Sequence, residues 1–247
     1  EQFTLFGIFH PLQSFGVKGL TILTIIFLTS ANYFGVVIGG TITNIFTALK
    51  VLGIILIIIL GFSISGGSAE NLTPVLEAER FQYSSPMGLF GAMFAAMLAA
   101  FWAYDGWNNI GYLGGEVKNP KRNIPISLFG GVALVILVYL AINAAFLYVL
   151  PVDEIISLTN NDHSIIAIEM MRKFLGYGGA IFISVLIMVS TFGTTNGTIL
   201  ASSRIYFAMA KDNLFFKSAA SHHSKYRTPH LSLIIQGIWA SLLVFSG

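Results

Sequence analysis

Charge-free apolar runs divide this chain. A helix that crosses a bilayer needs about 20 mostly apolar residues. Between Lys18 and Glu70 the only charge is Lys50. That stretch is too long for one crossing, and Gly39-Gly40 followed by Thr41 and Thr43 offers a break. The pattern predicts helices over about 19–38 and 42–64. A third run starts near Pro86 and reaches about Gly115, with Asp105 its only interior charge, so a helix is expected over about 86–115. A fourth covers about 124–150, a fifth about 177–203, and a sixth follows Pro229 over about 229–247. These six spans predict an all-α membrane protein, with 1–247 as a single transmembrane domain. Between the fourth and fifth spans, Ile155-Ile156, Ile165-Ile166, Ile168, Met170-Met171 and Phe174-Leu175 pattern one or two short amphipathic helices over about 152–175. They are read either as a lid over a pathway or as surface-packing helices.

Loop charges orient these spans. Lys118, Lys121 and Arg122 stand against Glu116 in one loop, and Arg204, Lys211, Lys217, Lys225 and Arg227 against Asp212 in another. The positive-inside bias makes both cytoplasmic. Loop 66–85 carries Glu70, Glu77, Glu79 and Arg80, and loop 151–175 carries Asp153, Glu154, Asp162 and Glu169 against Arg172 and Lys173, so both are expected outside. The alternation closes over all six helices. Composition agrees: 55% of the chain is hydrophobic and only 10% charged, against about 25% charged in an ordinary soluble domain. A net charge of +2 gives no sign of a nucleic-acid partner, and with no Cys these residues offer no disulfide, thiolate catalysis or Cys-based metal site. The five His show no metal-ligand spacing, and neither a nucleophile–base arrangement nor a phosphate-binding glycine loop is present. No cofactor and no enzymatic reaction are expected. The chain opens Glu1-Gln2-Phe3 without an initiator Met and ends at Ser246-Gly247 inside an apolar run, which reads as an internal segment of a longer protein.

The third run holds the most informative residues: Phe101-Trp102-Ala103-Tyr104-Asp105-Gly106-Trp107-Asn108-Asn109. A carboxylate at mid-span costs several kcal/mol unless it faces a cavity or a partner, and Gly106 weakens the helix by about 1 kcal/mol relative to Ala. A helix unwound here frees backbone groups that must line a cavity or a ligand site. Broken helices of this kind let half-helix ends meet the carboxylate and ammonium of a zwitterion. The plainer alternative is a kinked helix whose Asp105 pairs with a neighbour. Lys50 is either a lysine that snorkels to the interface or a fixed cation standing where other transporters bind sodium. Thr191, Thr194 and Asn196 either line a polar pathway or pack helices closely, the latter favoured by the Gly193/Gly197 spacing. Tyr139 and Asn143 lie four apart, on one face of the fourth span. Asn71-Leu72-Thr73 is a glycosylation sequon weakened by Pro74.

At these residues the chain resembles a known family. Trp102-Ala103-Tyr104-Asp105-Gly106-Trp107, then Gly114-Gly115-Glu116-Val117-Lys118-Asn119-Pro120 and Arg122-Asn123-Ile124-Pro125, is similar to the L-amino acid transporter family of the amino acid–polyamine–organocation superfamily. Phe192-Gly193-Thr194-Thr195-Asn196-Gly197 and Ser202-Ser203-Arg204 resemble another of its motifs. The resemblance covers essentially the whole chain and implies the fourth to ninth helices of a twelve-helix protein. It implies a LeuT-like inverted repeat of five plus five helices working by alternating access, with the helix at 86–115 as the discontinuous sixth. It places Trp102 at an aromatic gate and gives the carbonyls of Trp102, Ala103, Tyr104 and Asp105 the substrate ammonium. It has Lys50 standing in for a sodium ion and Tyr139 relaying its state. The first helix, which takes the carboxylate, lies outside these residues, so the implied site is half a site. Animal members pair with a glycoprotein through a disulfide before the fourth helix. Residues 1–18 hold no Cys, which argues against a disulfide-linked heavy subunit and favours a bacterial member.

The leading expectation is a multi-pass protein of the cell membrane that exchanges small or medium neutral L-amino acids, with the lipid bilayer as its surroundings. Proton-coupled uptake, in which Lys50 releases its proton at some step, is the alternative within the class. A receptor that binds an amino acid without moving it is the alternative outside it, and a channel is a further one.

Overall fold

The computed structural model describes residues 15–63, 67–72, 86–159 and 165–246. Nine α-helices order the described residues: α1 Phe15–Tyr33, α2 Val36–Ser63, α3 Pro86–Ala103, α4 Asn109–Tyr112, α5 Pro120–Val149, α6 Val152–Thr159, α7 Ile166–Leu175, α8 Tyr177–Lys211 and α9 His230–Leu243. Four of them, α1, α2, α5 and α8, are long and apolar enough to cross a membrane, while α3 and α9 are shorter apolar helices. Much of their apolar surface is exposed, for example at Phe129, Leu137 and Leu140 on α5. Lipid-facing side chains need no protein cover.

Several boundaries differ from those expected. The break between the first two helices falls at Phe34-Gly35, not at Gly39-Gly40. Gly35 has φ +152, a conformation open to glycine and costly for other residues. Gly39 is instead a point of close approach inside α2, where an added Cβ would strike the side chain of Asn32. The third helix stops at Ala103 rather than running to Gly115. α5 starts at Pro120 rather than 124, because Pro120 takes the first-turn position where its missing N–H costs nothing. α8 runs on to Lys211, not 203, with no helix breaker before Asn213 at φ +61, where the Leu214 N–H closes on the Met209 carbonyl. Arg204 therefore belongs to a helix and not to a loop. The last span ends its α-helix at Leu243 and tightens into a 3-10 turn, Val244–Ser246.

The chain forms two compact units, one of Glu1–Leu49, Tyr112–Glu116 and Val189–Gly247, the other of Lys50–Gly111 and Val117–Met188. The first unit centres on buried Leu28, Ile199 and Leu233, with Phe192 packed against them. Gly193 and Gly197 of α8 face Phe46 and Thr43 of α2, so the four-residue glycine spacing serves close helix approach. The second unit has a core of Ile57, Ala145, Val149, Leu150, Met170, Met171 and Ile183. Met170 and Met171 on α7 are fully buried, and Lys173 pairs with Glu154 at 2.6 Å to join α7 to α6. α7 thus packs into this core and holds α6 by an ion pair. Asn71 donates to the Tyr148 carbonyl at 3.1 Å, which ties down the sequon amide. Thr73 and Pro74, with Glu77, Glu79, Arg80 and Asp162, lie outside the described residues.

Candidate functional site

The end of α3 is built by a change of hydrogen-bond pattern. The Tyr104 N–H is shared between the Ala100 and Phe101 carbonyls at 3.2 Å each, and the Asp105 N–H reaches the Trp102 carbonyl at 3.2 Å. Bonds to the third residue back tighten a helix and end it. Gly106 then takes φ +100, which a side chain would oppose. The Asn109 N–H closes on the Gly106 carbonyl at 3.1 Å, and α4 adds one further turn. The interval from Tyr104 to Asn108 is thus non-helical, flanked by helix on both sides.

Tyr139 on α5 meets this interval. Its hydroxyl donates to the Ala103 carbonyl at 2.7 Å, and its ring packs edge-on against Tyr104 with centroids 5.1 Å apart. Asn143, one turn on, bends back to the Tyr139 carbonyl at 2.8 Å rather than reaching the site. Trp102 is 83% exposed, and Ala103 and Asp105 are exposed as well. Lys50 lies half-exposed on α2. The second unit therefore brings Ala103, Tyr104 and Tyr139 together.

The first unit holds the other candidates. Asn196 is fully buried and accepts from Asn32 Nδ2 at 2.7 Å while donating to the Gly39 carbonyl and Thr43 Oγ1, both at 2.9 Å. Its hydrogen bonds join α1, α2 and α8 at one point. Thr194 instead lines a cavity of about 290 Å³ with Thr29, Thr198 and Gln236. Thr191 is exposed.

Two features escape sequence reasoning. Asn32 is the partner that gives Asn196 its role, and a lone Asn in an apolar run carries no sign of its mate. Arg204 and Glu116 read as loop charges and as members of two separate motifs, with no sign that they meet, yet Arg204 Nε binds Glu116 Oε1 at 3.0 Å. Its Nη1 also donates to the Leu200 carbonyl at 2.6 Å and to Ser203 Oγ at 3.0 Å. The Arg204 side chain is only 10% exposed. No group of three or more His, Cys, Asp or Glu that could hold a metal occurs among the described residues.

Comparison with known proteins gives this geometry its context. The chain is 37% identical over 221 residues to the serine/threonine exchanger SteT of Bacillus subtilis (strain 168), covering 89% of this chain and 47% of that protein. It is 31% identical over 241 residues to the large neutral amino acids transporter small subunit 2 of Homo sapiens, covering 97% of this chain and 43% of that one. With the human b(0,+)-type amino acid transporter 1 it shares 27% identity over 232 residues, 94% of this chain and 45% of the relative. It spans about half the length of these relatives. The model of the amino acid permease family matches residues 2–246, nearly the whole length, and the chain belongs to that family.

Proposed function

We propose that this chain carries half of the substrate site of an amino-acid exchanger. Small or medium neutral L-amino acids would move one inward for one outward by alternating access, with no reaction catalysed. The observation that carries this reading is the helix break at Tyr104–Asn108, held in place by Tyr139, in a chain 37% identical to a serine/threonine exchanger. Trp102 serves as the gate over bound substrate. The ammonium is met by carbonyls of the break. Those of Trp102 and Ala103 already accept a bond each, so the carbonyls of Tyr104 and Asp105 take the larger share. Lys50 and Tyr139 couple the state of the site to opening. Asn196 serves packing, and Thr191 and Thr194 remain the candidates for a polar pathway. The loops carrying Lys118–Arg122 and Lys211–Arg227 are assigned to the cytoplasmic side. With no Cys in this segment, any partner subunit of the kind implied by the name of the human relative is not linked through these residues by a disulfide.

Trans-stimulation tests the reading. Proteoliposomes containing the full-length protein should take up labelled serine or threonine several-fold faster when preloaded with the unlabelled amino acid at equal pH on both sides. Uptake that ignores internal substrate and follows a pH gradient would overturn exchange in favour of proton coupling. Binding without flux would make the protein a receptor.

A further inference from the structure

The first unit contains a groove that the exchange reading does not use. It holds about 390 Å³ and is lined by Tyr206 of α8, Phe215 and Phe216 of the α8–α9 connection, and Ile235, Gln236, Ile238 and Trp239 of α9. Ile235, Ile238 and Trp239 recur at the third and fourth positions and so form one apolar stripe along the helix, with Gln236 beside it. The connection that supplies Phe215 and Phe216 is itself exposed and basic. Leu214 is 72% exposed and Phe216 69% exposed, and the exposed lysines Lys211 and Lys217 flank them. The Lys211 ammonium stands 4.8 Å from the centre of the Phe207 ring. Lys225 and Arg227 are exposed on the same connection, whose only acid is Asp212. Arg204, the remaining cation of this region, is engaged by Glu116.

Apolar side chains beside lysines on an exposed connection mark a surface that sits at the membrane interface, where apolar groups enter the acyl boundary and lysines meet phosphates. The groove adds depth to that surface, since it runs from the basic connection onto the apolar stripe of a helix. A phospholipid has the same two chemistries in the same order. We propose that this groove binds one anionic phospholipid, with an acyl chain along Ile235, Ile238 and Trp239 and the phosphate on Lys211 and Lys217. The excess of cations over Asp212 selects an anionic headgroup over a zwitterionic one, because only a net negative headgroup gains from the surplus positive charge.

Lipid retention by the purified full-length protein tests the proposal. After delipidation in detergent, the protein is offered dioleoylphosphatidylglycerol or dioleoylphosphatidylcholine, and bound lipid is counted by native mass spectrometry. The anionic lipid should be retained about ten-fold more readily. Lys211→Gln with Lys217→Gln should abolish that preference, at about three-fold for each lysine lost, within the roughly 1 kcal/mol that a surface lysine contributes. Trp239→Ala should lower retention of both lipids, while Lys118→Gln with Lys121→Gln, on the other basic loop, should change neither. If the double glutamine variant does not fold, Lys211→Arg with Lys217→Arg must keep the preference. Equal retention of the two lipids by the unaltered protein would overturn the site, as would a preference that survives loss of both lysines. Retention of no lipid would also overturn it.

Discussion

At the scale of single residues, the break at Tyr104–Asn108 divides labour between an exposed ring and a side-chain bond to the backbone. Trp102 stands clear of the protein at the end of α3, where an aromatic face is free to close over a ligand. Burying such a side chain contributes about 1.5–3 kcal/mol, so Trp102→Ala should lower kcat/KM for exchange roughly ten- to hundred-fold, with Trp102→Phe recovering part of it. Wild-type flux in Trp102→Ala would remove the gate. Tyr139 acts on the backbone instead. Tyr139→Phe keeps the ring against Tyr104 and deletes only the 2.7 Å bond to the Ala103 carbonyl. A hydrogen bond of this kind contributes about 1 kcal/mol, which predicts a fall of about five-fold in kcat/KM at unchanged protein yield. An unaltered rate would show that Tyr139 plays no part in the site.

At the scale of elements, the buried amide of Asn196 and the ion pair of Arg204 give separate predictions. Asn196→Ala removes its bonds to Asn32, Thr43 and the Gly39 carbonyl, leaving Asn32 Nδ2 only the Leu28 carbonyl and Thr43 Oγ1 only the Gly39 carbonyl. The cost is about 1–3 kcal/mol, toward the lower end inside a bilayer. Thermal unfolding in detergent should shift downward while exchange per folded molecule stays constant. A large loss of exchange at unchanged stability would return Asn196 to the pathway. Glu116→Gln leaves the largely buried Arg204 guanidinium short of its counter-charge. Because Glu116 is itself partly exposed, the cost is about 1–2 kcal/mol, below that of a fully buried pair. A double-mutant cycle with Arg204→Gln should show coupling, and additive effects would mean the two act apart. The sequence made elements legible where physics is local. The apolar runs marked the spans, Gly106 marked the break, and the Gly193/Gly197 spacing marked close helix packing. It misplaced the α1–α2 turn, because two adjacent glycines look like a breaker whether they turn the chain or admit a neighbour. It missed Arg204–Glu116 and Asn32–Asn196, because their members lie 88 and 164 residues apart, and pairing over such distances is set by tertiary packing.

At the scale of the whole molecule, membership of the amino acid permease family gives the chain an all-α, LeuT-like fold in a multi-pass membrane protein. The proposed alternating access requires that the site be read differently from its two sides, and Lys50 is the residue that tests this. It is the only charge between Lys18 and Glu70, and it lies half-exposed in the middle of α2. In 28 residues of helix, about 42 Å long, residue 50 stands near 20 Å from either end. That is far for a side chain to reach polar headgroups by snorkelling. A cation held at that depth needs a partner or a cavity, and in an exchanger the partner can be present in one orientation and absent in the other. Lys50→Ala should then change the apparent affinity on one face of the membrane by about ten-fold while leaving the other within about two-fold, a difference of about 1.4 kcal/mol. Sided measurements on oriented proteoliposomes, with internal and external serine varied separately, resolve the two. A change equal on both faces would make Lys50 part of the binding site itself. Unchanged kinetics on both faces would make it a lysine of the interface. Lys50→Arg separates charge from geometry: it keeps the cation and lengthens the fork, so restored symmetry in that variant would assign the effect to charge alone.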